Sequence, residues 1–239
     1  MSAASSNPSI PTVLVVGASR GLGSALVAEF LRRGWNAVGT VRVEGARTEL
    51  HELAEAHLGR VRIEALDIDA PDGIAALRER LAGQALDILF VSAGTTTQDE
   101  HTRVGAVATD EFMRVMVTNV LGPMRVIEAL QDLVPTDGLV GAMSSGQGSI
   151  ANNERGMREV YRASKAALNM SMRSFAARPE NASRAMLLLA PGWIRTSLGG
   201  PDAPFTIEET VPSLVDVVLA KRGKPGIQYL DRFGQAVPW

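Results

Sequence analysis

The chain has 239 residues, 46% hydrophobic and 21% charged, with a formal net charge of −2. That balance suits one large soluble α/β domain with a substantial core, and it offers neither a nucleic-acid surface nor a polybasic membrane patch. There is no cysteine, which excludes disulfides, thiolate catalysis and Cys-ligated zinc and fits a reducing, cytoplasmic compartment. The three histidines, His51, His57 and His101, lack metal-ligand spacing, so no metal is expected.

Met1 to Pro11 is rich in Ser, Ala, Asn and Pro and lacks the basic and apolar regions of a secretory signal, so it reads as a disordered leader. No apolar run reaches the roughly 18 residues of a membrane span. Residues 12–239 read as a single domain. Thr12 to Val16 is a β-branched, apolar strand. The turn Gly17-Ala18-Ser19-Arg20-Gly21-Leu22-Gly23 follows, then a helix from Ser24 that stops at Gly34. Strand, glycine turn and helix form the setting of a phosphate-binding loop: the backbone approaches a pyrophosphate closely, and the helix N-terminus presents free N–H groups to it. Trp35 to Val41 is a second strand. Its end carries Arg42 where NAD-binding versions carry an acid. Arg42 and Arg20 together suit a 2′-phosphate, with Glu44 as the dissenting residue further into the loop.

A polar helix is expected over Ala46 to Leu58, with His51 and His57 on it. A third strand spans Arg60 to Leu66 and runs into Asp67-Ile68-Asp69, and Pro71 opens the next helix. Leu86 to Val91 is a fourth strand, followed by Ser92-Ala93-Gly94. Apolar spacing predicts a long helix over about 110–132. Asn119 in its middle either faces water or has work to do, and Pro123 should kink or open that helix. Gly138 to Met143 is a fifth strand, followed by Ser144-Ser145-Gly146-Gln147-Gly148. The helix bearing Tyr161 and Lys165 runs to about Arg178. Arg184 to Leu189 is a sixth strand, ending in Ala190-Pro191-Gly192. Thr206 to Glu209 is a capping box that opens a helix distorted by Pro212, and Ile227 to Leu230 is a final short strand.

Strictly alternating strands and helices predict a doubly wound parallel sheet, a Rossmann architecture of about seven strands with helices on both faces. Ligands bind such sheets beyond the strands' carboxyl ends, where Gly17–Gly23, Asp67, Ser92–Gly94, Ser144–Gly148 and Pro191-Gly192 all fall. Tyr161 and Lys165, four apart, share a helix face. A nearby ammonium is expected to lower the tyrosine pKa and suit the pair to proton transfer near neutrality. On its own, that pair is an ordinary polar pair on a wet helix. It is the convergence of segments that points to a site.

These residues resemble the short-chain dehydrogenase/reductase family over about Thr12 to Trp239. The glycine turn, a serine at 144 or 145, Asn119, Tyr161, Lys165 and Pro191-Gly192 with Thr196 occur in the family's order. The family's glycine three residues beyond its serine selects Ser145, with Gly148. The long Ser145–Tyr161 interval, enlarging Asn152–Glu159 at the site mouth, and the Val237-Pro238-Trp239 ending are similar to C-factor and sniffer-type carbonyl reductases. The family's Asn-Asn-Ala-Gly reads Val91-Ser92-Ala93-Gly94 here.

The resemblance implies an NADP(H)-dependent oxidoreductase that exchanges hydride with a small carbonyl or alcohol substrate, with NADP(H) preferred and NAD(H) possible. Tyr161 is the implied general acid/base and Ser145 the second donor to the carbonyl oxygen. Lys165 holds ribose and tunes Tyr161, and Asn119 holds a water linking Lys165 to solvent. Implied cofactor contacts are Gly17, Ser19, Arg20, Gly21, Leu22, Gly23, Arg42, Asp67, Ile68, Ala93, Gly94, Tyr161, Lys165, Pro191, Gly192, Ile194 and Thr196. The expected substrate wall is Thr95–Thr97, Gln147–Glu159 and Trp193–Phe205. A homodimer or homotetramer through the long helices is expected. Two rivals stand beside this reading: a non-catalytic NADP(H)-binding sensor or scaffold, and an epimerase or dehydratase, disfavoured by the short stretch after Gly192.

Overall fold

The structure, a computed structural model, describes residues 10–43 and 45–239. Most of the expected leader and Glu44 lie outside the described residues. Seven strands, β1 (Thr12–Val16), β2 (Asn36–Val41), β3 (Val61–Ala65), β4 (Ile88–Val91), β5 (Leu139–Met143), β6 (Ala185–Ala190) and β7 (Gly226–Asp231), form one sheet in the order β3-β2-β1-β4-β5-β6-β7. Every pairing is parallel, and β6 and β7 are aligned from Ala185↔Gly226 to Ala190↔Asp231. The order reverses between β1 and β4, where such sheets open a crevice. The leader boundary lies slightly earlier than expected, because the Pro11 carbonyl already accepts the Asn36 N–H at 2.9 Å.

The period-2 alternation of the strands sorts their side chains onto two cores. Val13, Val15, Ile88, Phe90, Leu187 and Leu189 face one side, which α1 (Gly21–Arg32), α2 (Glu49–Ala56) and α7 (Ile207–Lys221) cover. Leu14, Val16, Leu89, Val91, Met186 and Leu188 face the other, covered by α3 (Pro71–Arg80), α5 (Gly122–Leu130) and α6 (Glu159–Ala176). Both clusters are buried, so strands covered on both faces read as unbroken apolar runs in the sequence.

Several helices differ from expectation. The first begins at Gly21 rather than Ser24, inside the glycine turn. The second is shorter than 46–58. His51 closes its capping box with Thr48, and His57 stands just past its end. The long helix is α4 (Thr109–Met116), one wider π-helical turn over Val117–Leu121, and then α5. Pro123 sits one residue into α5. The π turn ahead of it takes up the backbone bonding that proline cannot make, which is the opening the sequence predicted. By contrast, α7 runs unbroken through Pro212.

Candidate active site

The glycine turn is built around two close approaches. Gly17 has φ +86, and a Cβ there would stand 2.7 Å from the Ala93 backbone; a Cβ on Gly23 would stand 2.0 Å from the Gly17 carbonyl oxygen. The turn is tied to the second strand by Gly17 N–H donating to Thr40 Oγ1 and Ala18 N–H to the Thr40 carbonyl, both 2.9 Å. Beyond the carboxyl ends of the strands lies a cleft of about 880 Å³. The Gly17–Gly23 turn, Arg42, Asp67-Ile68 and Ala93-Gly94 line it, as do Ser145, Tyr161, Lys165 and the Pro191–Thr196 loop. Every implied cofactor contact is therefore on one continuous surface. Glu49, which the sequence did not single out, also lines it, its carboxylate accepting from Gly21 N–H and from the Ser24 hydroxyl. Of the expected substrate wall, Gln147, Arg158 and 193–199 contribute. Thr95 and Thr96 instead accept from the Arg114 guanidinium.

Ser144 and Ser145 diverge. The Ser144 hydroxyl is buried and donates to Asn169 Oδ1 at 2.6 Å. Ser145 faces the cleft, and its hydroxyl accepts the Gln147 N–H at 3.2 Å. Tyr229 on β7 donates its hydroxyl to the Ser145 carbonyl. Its ring packs against Trp239 at 5.5 Å, and the Trp239 carbonyl accepts the Ala151 N–H at 3.1 Å. The end of the chain thus braces the strand end that carries Ser145. Neither Tyr229 nor Asn169 was legible beforehand, because they lie 84 and 25 residues from the serines they bond, Ser145 and Ser144.

Asn119 is fully buried and fully engaged. Its Oδ1 accepts the Thr95 N–H at 2.8 Å, and its Nδ2 donates to the Thr95 carbonyl at 2.8 Å and to Ser164 Oγ at 2.9 Å. The Ser164 hydroxyl donates in turn to the Tyr161 carbonyl at 2.8 Å. One asparagine thus ties the loop after β4 to α6, beside the missing Asn-Asn pair at 91–92. A Cβ built on Gly94 would stand 3.5 Å from both Asn119 Oδ1 and Lys165 Nζ, so the two groups border the same small space.

The expectation that Lys165 lowers the Tyr161 pKa needs correction. Tyr161 is 6% exposed, and burial pushes its phenol up; the Ser145 hydroxyl and the Arg158 guanidinium pull it back only in part. Lys165 is itself desolvated, which brings its pKa down to about 8. Its Nζ donates to the Met143 carbonyl at 3.0 Å and lies 5.8 Å from the centre of the tyrosine ring. In this pocket, desolvation outweighs the pairing. Among the described residues no group of three or more His, Cys, Asp or Glu is set to hold a metal ion.

The arrangement invites comparison with known proteins. A family model described as enoyl-(acyl carrier protein) reductase matches residues 17–210, most of the chain. The chain belongs to the short-chain dehydrogenase/reductase family. A short-chain dehydrogenase/reductase from Burkholderia multivorans with bound NADP is 61% identical, with a TM-score of 0.94, over 96% of this chain and 100% of that one. The resemblance to the C-factor and sniffer group holds as well. C-signal of Myxococcus xanthus is 34% identical over 64% of this chain and 93% of its own length. Carbonyl reductase Sniffer of D. melanogaster is 26% identical, with a TM-score of 0.86, over 96% and 100%.

Proposed function

We propose that this short-chain dehydrogenase/reductase transfers hydride between NADP(H) and the carbonyl or alcohol carbon of a small molecule. The observation that carries this reading is one cleft with the glycine turn at one end and Ser145, Tyr161 and Lys165 at the other. The residues fit a dinucleotide: the turn opens onto the N-terminus of α1, where the Gly21 N–H that a phosphate would take is held by the Glu49 carboxylate, and Arg20 and Arg42 line the same cleft with guanidinium groups that match a 2′-phosphate. The relative solved with bound NADP supports that choice. When bound, the cofactor supplies the hydride.

Tyr161 gives its phenolic proton to the carbonyl oxygen in reduction, and Ser145 donates a second hydrogen bond as charge develops there. Lys165 holds the ribose. Asn119 holds the loop after β4 against α6, so that Gly94, Lys165 and Tyr161 keep their spacing. The reading takes residues 12–239 as one domain, assembled as a homodimer or homotetramer, and places it in the cytoplasm on the cysteine-free sequence. No helix among the described residues is long and apolar enough to cross a membrane.

The test is cofactor absorbance with NADPH and a panel of aldehydes, ketones and quinones. Oxidation of NADPH by at least one of them is expected, with a lower dissociation constant for NADP(H) than for NAD(H). One observation favours a second reading, a non-catalytic NADP(H)-binding sensor or scaffold: the relative named C-signal. Tight NADPH binding with no turnover across the panel would select it.

A further inference from the structure

The enlarged loop ahead of α6 ends in a conformation that side chains avoid. Gly156, Met157 and Arg158 have φ of +62, +60 and +51, three left-handed residues in a row, of which only the first is glycine. A non-glycine residue held there costs about 1 kcal/mol or more and persists only where its surroundings impose it. Here Glu100 imposes it: its carbonyl accepts the Arg158 N–H at 3.2 Å, and its carboxylate lies 2.9 Å from Arg158 Nε. The Met157 carbonyl is held in turn by Arg162 Nε at 2.8 Å. The outcome is an arginine laid over the general acid, its guanidinium carbon 4.7 Å from the centre of the Tyr161 ring.

The Arg158 side chain is 12% exposed, and the residue lines the cleft. The Glu100 carboxylate is near enough for an ion pair but is not aligned for a hydrogen bond, so Nε and Nη2 are both buried without a hydrogen-bond partner. Buried unpaired donors are uncommon and costly, and an unmade bond to a charged group most of all. Of the charged residues that line the cleft, Arg158 and Lys165 are the two that stand near the Tyr161 ring. Gln147, which lines the same cleft, likewise has a buried and unpaired Oε1.

We propose that Arg158 anchors the substrate and that the substrate is an oxo acid: an aldehyde or ketone whose carboxylate lies a few bonds from the reacting carbonyl. A guanidinium presents its N–H groups in a plane that matches a carboxylate. A carbonyl held by Tyr161 and Ser145 leaves room for only a short spacer to a group stacked on the tyrosine ring. The inference rests on the oxidoreductase reading for the position of the carbonyl, while the anion site itself does not need turnover.

The experiment compares 2-oxopentanoate, 4-oxopentanoate and 5-oxohexanoate, each with its methyl ester. Affinity is measured by calorimetry with saturating NADP+, so that nothing is reduced, and kcat/KM is measured separately with NADPH. For at least one pair the acid is expected to bind about tenfold or more tighter than its ester. Arg158→Gln should bring that ratio close to one, and Arg158→Lys, which keeps charge without the planar fork, should retain part of it. Equal affinity of acid and ester in every pair overturns the proposal, and so does a ratio that survives Arg158→Gln. If Arg158→Gln does not fold, the wild-type ratios and Arg158→Lys decide. Acid preference without NADPH oxidation by these compounds or by the aldehyde, ketone and quinone panel leaves the anion site standing and overturns the oxidoreductase reading; turnover without acid preference does the reverse.

Discussion

Ser144 and Ser145 are chain neighbours whose hydroxyls have different partners, Asn169 for the first and the Gln147 N–H for the second, and the difference makes a test. Ser145→Ala should lower kcat about 10²-fold or more by removing a donor to the developing oxyanion. Ser144→Ala should spare kcat and instead lower stability by about 1–2 kcal/mol, because it strands the buried Asn169 Oδ1; steady-state kinetics and urea melts on both variants check this. Tyr161→Phe should abolish turnover with little change in cofactor affinity, read by fluorescence titration, since the ring fills the same space without the transferable proton. Lys165 predicts a pH effect on the cofactor-free protein. Its pKa falls from 10.5 in the unfolded chain to about 8 in the native state. Below pH 8 it is charged in both states, and folding bears the whole burial penalty, about 3 kcal/mol. From pH 8 to 10.5 the unfolded chain holds the extra proton, so stability climbs with pH. Lys165→Met should therefore raise the Tm at pH 7, by the equivalent of at most about 3 kcal/mol less the lost bond to Met143, and match wild type near pH 10.5. It should also abolish activity. Calorimetric melts of both proteins across that range test the sign.

At the scale of elements, the proposed site is held where the regular pattern breaks. The π turn at Val117–Leu121 carries Asn119, which bonds both the loop after β4 and α6. The left-handed run at 156–158 is the other break, and it sets the entry to the helix that bears Tyr161. Met157 is 57% exposed, so its side chain contributes little packing to offset its backbone strain. Met157→Gly should stabilise the protein by up to about 1 kcal/mol in denaturant melts. A loss of stability would mean that the methionine side chain, not Glu100, holds the turn.

For the whole molecule, assembly is the open measurement. On the two long helical stretches, Val115 and Val126 are buried within this chain, whereas Met170 on α6 is 63% exposed. Met113 and Leu121, from the 109–130 stretch, are 53% and 44% exposed. Light scattering should give a multiple of the 25.4 kDa chain mass. If it does, Met170→Glu should lower that mass, because a desolvated unpaired charge at an interface is costly. A wild-type mass near that of a single chain would refute the assembly.

Local chemistry alone determined much of this protein. The seven strands, their alternation with helices and the glycine turn could be read because each depends on neighbours in sequence: apolar runs, glycine, caps. Tyr161 and Lys165 were legible for the same reason, being one helical turn apart. Only the tertiary structure decided what depends on packing between distant segments. It tied the Ser144 hydroxyl to Asn169 and left the Ser145 hydroxyl at the cleft, braced Ser145 through Tyr229 and Trp239, and made Asn119 a strut. It also reversed the expected tyrosine shift, because a pKa answers to burial as well as to charge, and burial is a property of the whole fold. Arg158 passed unremarked as one charged residue in a polar loop. It acquired a place over Tyr161 only when Glu100, far off in the chain, caught its backbone and guanidinium.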